Sequence, residues 1–212
     1  MNKYLKKIAC LTALVAIGMW FSSCEKNPEN IIDEHEFVDL GLPSGLKWAS
    51  CNIGANEPYE YGSYYAWGEI STKSSYYSNN SQTNGKNMGD VSGDPSYDAA
   101  RANWGGSWRM PTMGEMEELL DKCIWQWTTQ SGICGYKVTG PNGNSIFFPA
   151  AGECNDAEGT SLHLVGKNGY YWTSTPDESS TRDARGLNFG SNFYRVGRDD
   201  RYFGRTVRPV SK

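Results

Sequence analysis

The sequence predicts an α+β fold in which short, twisted antiparallel strands gather around one main amphipathic helix and are joined by long loops. Three observations predict it. Glycine accounts for 24 of the 212 residues and aromatics for 13% of them, while long apolar runs are few, as in chains of short strands and tight turns. One stretch, Met113 to about Ile124, carries helical periodicity. A third, Ser71 to Gly93, is almost entirely Ser, Asn, Gly, Thr, Tyr and Lys and reads as a long surface loop.

Taken in order, Phe37–Leu40 reads as a strand, Pro43-Ser44-Gly45 as a turn and Leu46–Ile53 as a second strand with Ala49, Cys51 and Ile53 on one face. Glu60–Gly68 is a third candidate strand, interrupted at Gly62. Asp94-Pro95 has the form of an N-cap followed by proline in the first helical position, predicting a short helix through Ala102. Thr112 and Glu115 form the T-x-x-E capping box of the main helix. Glu115, Glu117 and Glu118 sit at the positive end of its dipole, and Met116, Leu119, Leu120 and Cys123 fall on one stripe. Helix construction accounts for these acids without catalysis. Beyond it, Gly135–Gly152 reads as a hairpin turning at Pro141-Asn142-Gly143-Asn144, and Gly169–Thr175 as a strand. Ala184–Val210 gives two or three more strands, with tips near Gly190-Ser191-Asn192 and Asp199-Asp200.

The chain opens with Lys3, Lys6 and Lys7, an apolar run of 14 residues from Ile8 to Phe21, and then Ser22, Ser23 and Cys24. That run is too short to span a bilayer, which needs ~20 apolar residues, and it has the form of a secretory signal over residues 1–23. Cys24 stands where a lipoprotein signal places its lipid-modified cysteine, with an ordinary cleaved signal as the alternative. Residues 24–36 are polar and read as a tether, and 37–212 as one domain. The 189 residues after the signal carry 17 Lys and Arg against 24 Asp and Glu, a net charge of −7. This argues against a nucleic-acid partner. Cys51, Cys123, Cys134 and Cys154 remain, in a compartment that permits disulfides. The expected pairing is Cys51–Cys123 and Cys134–Cys154. Zinc is disfavoured by the lack of close cysteine pairs, and buried thiols are the other alternative.

No catalytic constellation stands out. His35 ends the tether, and His163 lies near Asp156 and Ser161 without a surrounding motif. Asp177, Glu178, Asp183, Asp199 and Asp200 lie in loops without a calcium-loop spacing, so no metal or cofactor is expected. The clearest asymmetry is at the C-terminal end, where seven Arg (182, 185, 195, 198, 201, 205 and 208) accompany three Asp, a local net of +4. Aromatic residues interleave with them. Flat guanidinium donors and aromatic faces suit an acidic glycan, which makes Trp172, Arg185, Tyr194, Arg195, Arg198 and Arg201 the candidate ligand-binding residues. The alternative is that these Arg pair with loop acids, or that strand alternation divides them between two faces.

Six strings occur in order: VDLGLPSGLKWASCNIGA, YYAWGE, DAARANWGGSWRMPT, GYKVTGPNGNSIFFPAAG, GYYWTST and GRTVRPV. Together they resemble the Fibrobacter succinogenes major paralogous domain family of bacterial surface lipoproteins, from about Phe37 to Val210. That family has no well-defined activity. Its motifs also resemble a wider group of C-type-lectin-like fold, including the formylglycine-generating domain, whose R-L-P-T-E helix is similar to Arg109–Glu115. The copper-binding cysteine pair of that enzyme has no counterpart after Cys154, where Thr206-Val207 stand instead. The sugar-binding calcium motif of true C-type lectins is also missing, with Gly140 in place of its acid before Pro141-Asn142. The resemblance implies a C-type-lectin-like domain of a surface lipoprotein. A secreted, lipid-anchored, aromatic-rich domain without a catalytic constellation makes the expected function non-catalytic recognition of a glycan or a protein partner, at the outer membrane. A structural module of a surface assembly and an enzyme acting on envelope polymers are the alternatives.

Overall fold

The computed structural model describes residues 30–155 and 161–212. The signal, Cys24 and Asp156 lie outside the described residues. Within them the fold is strand-rich and mixed, with antiparallel sheets and two helices.

The first two strands, β1 (Ile31–Ile32) and β2 (His35–Asp39), form a hairpin whose turn residues Asp33 and Glu34 both have positive φ, 45° and 69°. Such a turn normally takes Asn-Gly; with these residues it carries strain of about 1 kcal/mol or more per position. Docking against the chain ahead of the main helix holds it. Trp108 Nε1 donates to the Ile32 carbonyl at 3.0 Å, and the His35 ring stacks on Trp104 with centroids 3.7 Å apart. The end of the stretch expected as tether is therefore part of the domain.

Next, β3 (Lys47–Ala49) pairs with β2 and with the last strand, β12 (Val210–Ser211), so both ends of the domain meet in the sheet β1-β2-β3-β12. The predicted strand to Ile53 stops at Ala49, because the Ala49 and Ser50 carbonyls accept from Arg208 at 3.1 and 2.8 Å. Glu60–Gly68 is not a strand either: Tyr65 makes one isolated bridge to Arg205. Residues 71–93 hold no helix or strand, as expected, yet they are more than a surface loop. Tyr76, Thr83 and Val91 are buried, and the Thr83 hydroxyl donates to the Trp67 carbonyl at 2.6 Å.

The short helix α1 (Ala99–Trp104) is capped by Asp98, four residues beyond the predicted cap. The buried Asp98 carboxylate accepts from the backbone N–H groups of Gly93, Ala100, Arg101 and Met110 at 2.7–3.0 Å. Burial raises its pKa and those four donors oppose the rise. The main helix α2 (Met113–Lys122) begins as predicted, with the Thr112/Glu115 capping box complete. Met116 and Leu119 are buried, and Leu120 and Cys123 pack against the same core.

The predicted continuation to Ile124 is instead the start of β4 (Ile124–Gln130). It pairs with β5 (Ile133–Thr139), which pairs with β6 (Ser145–Pro149). The β5–β6 turn lies at Gly140–Asn144 as predicted, and the Asn142 and Asn144 amides hold it against the Asp39 carbonyl at 2.9 and 2.8 Å. After the small pair β7 (Glu153–Cys154) and β8 (Leu162–His163) come β9 (Asn168–Pro176), β10 (Asp183–Gly190) and β11 (Phe193–Asp200), in sheet order β11-β10-β9. The main core gathers α2, the inner faces of β5 and β6, and Tyr171, Leu187 and Phe189 of the last sheet. A second cluster centres on Trp67, Met110, Trp172 and Val207.

The expected disulfides are not formed. Cys51 follows β3 beside Ser50, Cys123 ends α2 against the main core, Cys134 lies on β5 opposite Thr129, and the buried Cys154 belongs to a third cluster with Ala66 and Tyr76. Cys123 and Cys154 serve as small hydrophobes, whereas Cys51 and Cys134 lie within reach of the Ser50 and Thr129 hydroxyls. Burial pushes the Cys123 thiol up to about 11.

Candidate functional site

Strand alternation decides the fate of the C-terminal Arg. Arg185 and Arg198 are register partners across β10 and β11, with Leu187 and Val196 the next partners on the core-facing side. Arg195 is paired with Asn188 on the opposite face. Arg195 and Arg198 therefore do not share a patch.

Three of the seven Arg are interior staples. Arg201 is 1% exposed; it donates to the carbonyls of Asp183, Thr83 and Lys86 at 2.8–3.2 Å and lies 4.3 Å from the Trp67 ring. Arg208 is fully buried and donates to Asn52 Oδ1 and to the carbonyls of Ala49, Ser50 and Phe147. Arg205, also fully buried, binds Glu153 Oε2 at 2.6 Å and Asp199 Oδ2 at 2.8 Å, with Trp172 4.6 Å from its guanidinium. Trp172 is itself fully buried, its Nε1 donating to the Tyr65 carbonyl at 2.9 Å. Two expected ligand residues, Trp172 and Arg201, are thus core residues with no surface to offer. No local signal marks this: the carbonyls they serve belong to Tyr65, Thr83 and Lys86, more than 100 residues away in the chain.

Arg185 and Arg198 face a carboxylate. Asp177, its side chain fully covered, lies 2.8 Å from Arg185 and 4.0 Å from Arg198, and accepts from the Ser179 hydroxyl at 2.6 Å. Ser179 first, and then the two Arg, hold its pKa below the usual carboxylate range against the opposing effect of burial. Asp199 is taken up by Arg205 and by Asn188, whose amide donates to it at 2.8 Å. Glu153 is raised by burial, with Arg205 opposing. Among the described residues no three His, Cys, Asp or Glu side chains come together as a metal group. His163 pairs in register with Glu153 across β7 and β8.

The remaining expected residues, Tyr194 and Arg195, are exposed at the β10–β11 turn. Tyr194 stacks on the half-buried Trp125 at 5.0 Å, on the side of the main core. Phe193, one of the aromatics interleaved with these Arg, is 40% exposed on the other side, and the Arg195 guanidinium stands 5.9 Å from its ring. Beside this turn is a cleft of about 400 Å³, lined by Trp127 of β4, Cys134 of β5, the Gly166–Asn168 segment and Gly190–Phe193. Its floor is fixed by the Tyr136 hydroxyl, which donates to the Gly190 carbonyl at 3.0 Å. Gly190 lets the Phe193 ring lie close over the backbone, since a Cβ there would be 2.7 Å from that ring and would displace it. The cleft is lined by polar groups, the Lys167 amine, the Cys134 thiol and two aromatic rings, with no carboxylate among them. A cavity of about 540 Å³ elsewhere has the opposite character, with Glu34, Glu36 and Glu57 around Cys51 and Trp104.

One family model, described as a domain of unknown function (DUF8237), matches residues 109–210. The ends of that segment pair with each other: Arg109 and Val210 exchange backbone hydrogen bonds of 3.0 and 2.9 Å. The match runs from the bridge residue Arg109 ahead of α2 through the cleft and all three Arg staples. No curated protein and no solved structure matches the chain.

Proposed function

We propose that this chain is a non-catalytic recognition module of the bacterial cell envelope, of C-type-lectin-like architecture. In this reading it is anchored in the outer membrane by lipid on Cys24 and binds a glycan or a protein partner through the loops at the β10–β11 end. Short antiparallel strands, one main helix and a long strandless stretch support the architecture. No helix among the described residues is long and apolar enough to cross a membrane, which fits an anchor outside the domain.

The observation that carries the functional reading is how the side chains are spent. Asp177, Asp199 and Glu153 are consumed by Arg185, Arg205 and their neighbours, whereas Phe193, Tyr194 and Arg195 stand exposed beside a formed cleft. Exposed aromatic and cationic groups beside a concavity are binding equipment rather than catalytic equipment. The test is a glycan array probed with the purified full chain, run together with cross-linking of the chain in its native envelope. Ligands retained unchanged after incubation are expected. The reading falls if neither screen gives a hit above background, or if a retained glycan is cleaved.

A further inference from the structure

We propose that the cleft beside the β10–β11 turn is a subsite for a carboxylate-bearing sugar, such as a hexuronic acid residue of a polysaccharide. This rests on the recognition reading above and gives it a location and a ligand class. The cleft's volume, about 400 Å³, is of the size that takes a small ligand, where ~300–1,000 Å³ is usual. Its walls include two aromatic rings from different elements. Trp127 is half-buried and held edge-on to Tyr136 at 5.2 Å, which fixes its position. Phe193 is held over Gly190 and remains 40% exposed, although a turn tip flanked by Ser191 and Asn192 has no structural need of an aromatic. Two rings in the lining supply apolar surface for the C–H groups of a pyranose.

The polar groups have the matching chemistry. Asn168 and Asn192 bring planar amides that donate and accept, as vicinal hydroxyls require. The Asn168 Nδ2 donates to the Tyr170 hydroxyl at 3.2 Å, which orients the amide. Lys167 is the one charged residue of the lining, and Arg195 stands next to Phe193. Neither cation is in an ion pair among the described residues, while Asp199 and Glu153 are both held by Arg205. Two unspent positive charges beside two rings in a domain of negative net charge select a single anionic group on an otherwise neutral, ring-shaped ligand. A neutral sugar leaves those charges unused, and an acidic peptide leaves the rings without a pyranose face.

The experiment is affinity electrophoresis of the full chain in detergent through gels containing polygalacturonate, dextran or poly-glutamate, at low and high salt. Retardation by polygalacturonate alone, weaker at high salt, is expected. Phe193→Ala and Lys167→Gln/Arg195→Gln should each weaken it by about tenfold. Phe193→Leu keeps apolar bulk without the ring, so the loss must persist there with an unchanged near-UV circular dichroism spectrum. Equal retardation by poly-glutamate overturns the saccharide assignment, because charge alone then suffices. Retardation by dextran but not polygalacturonate overturns the acidic class and leaves a glycan receptor. Full binding by the Phe193 variants overturns the location. A partner found on the array or by cross-linking, with none of the three polymers retarded, overturns this subsite and keeps the recognition reading; silence in every assay removes both.

Discussion

Replacing Arg205 with Met tests how the buried charges at the C-terminal end are balanced. Arg205 is fully buried and binds two carboxylates of unequal exposure: the side chain of Glu153 is 6% exposed and that of Asp199 is 24% exposed. Without the guanidinium, Asp199 can turn to water and keeps its Asn188 partner. Among the described residues Glu153 keeps the Asn155 amide as a donor and the nearby His163, neither of which replaces the guanidinium. The cost is then that of a buried charge stripped of its counter-ion, about 3–5 kcal/mol. Unfolding in urea at neutral pH should show that loss as a lowered midpoint with an unchanged slope. The sign of the pH dependence follows from Glu153. Burial already raises its folded pKa above the unfolded value with Arg205 opposing, and removing Arg205 takes that opposition away. A raised carboxylate pKa costs stability above the folded value, and the cost is relieved as pH falls through it. The deficit of Arg205→Met should therefore shrink on acidification. Arg205→Met/Glu153→Gln, which removes both charges, should recover most of the loss at neutral pH. A loss below about 1 kcal/mol, or a deficit indifferent to both pH and the second substitution, would refute the reasoning.

Two further substitutions probe the helix cap and the sheet. Glu115 accepts from Arg109 at 2.5 and 2.7 Å and from the Thr112 backbone at 2.9 Å, and despite the opposing effect of burial its pKa is lowered. Glu115→Gln should cost about 1–2 kcal/mol at neutral pH; the difference from the parent protein should vanish as pH falls through the lowered folded value, and a pH-independent difference would contradict the assignment. Gly169 lies opposite Phe189 in the register, and a Cβ there would overlap the fully buried Phe189 ring. Gly169→Ala should cost about 1–3 kcal/mol and Phe189→Leu should restore part of it in the double variant, as read from urea midpoints; a neutral single variant would disprove the close approach.

The parts of the fold legible in the sequence were those written in local chemistry. The capping box at Thr112 and Glu115, the stripe of Met116 and Leu119, and the turn at Pro141–Asn144 each lie within one turn of chain and appear where they were read. The failures share a non-local cause. The α1 cap moved from Asp94 to Asp98 because Asp98 also accepts from Met110, 12 residues away. The second strand ended at Ala49 because Arg208, 159 residues away, takes the Ala49 carbonyl. Strand β4 was missed because its alternation, Trp125 and Trp127 inward against Ile124 and Gln126 outward, adjoins a helix ending that continues the same apolar run. For the candidate site, composition pointed to the C-terminal end of the chain, where the exposed β10–β11 turn lies. It could not separate the exposed Arg195 from the buried Arg201, because that depends on which backbone carbonyls lie opposite.

The buried Arg explain why a long stretch without strands stays ordered. Residues 50–98 contain no sheet ladder, so their backbone groups need partners from elsewhere. The C-terminal end supplies them. Arg208 takes the Ala49 and Ser50 carbonyls, the Arg205 backbone exchanges hydrogen bonds with Tyr65, and Arg201 takes those of Thr83 and Lys86. A lysine at these positions offers a point charge instead of a planar fork and cannot span several carbonyls at once. Arginine is thus used here for its geometry as well as for its charge. The same segment that carries the staples also carries the β10–β11 turn, at its opposite end. Substitutions at Phe193 or Arg195 can consequently alter what the turn presents while the staples keep the domain closed, and that separation lets an exposed turn vary on a constant fold.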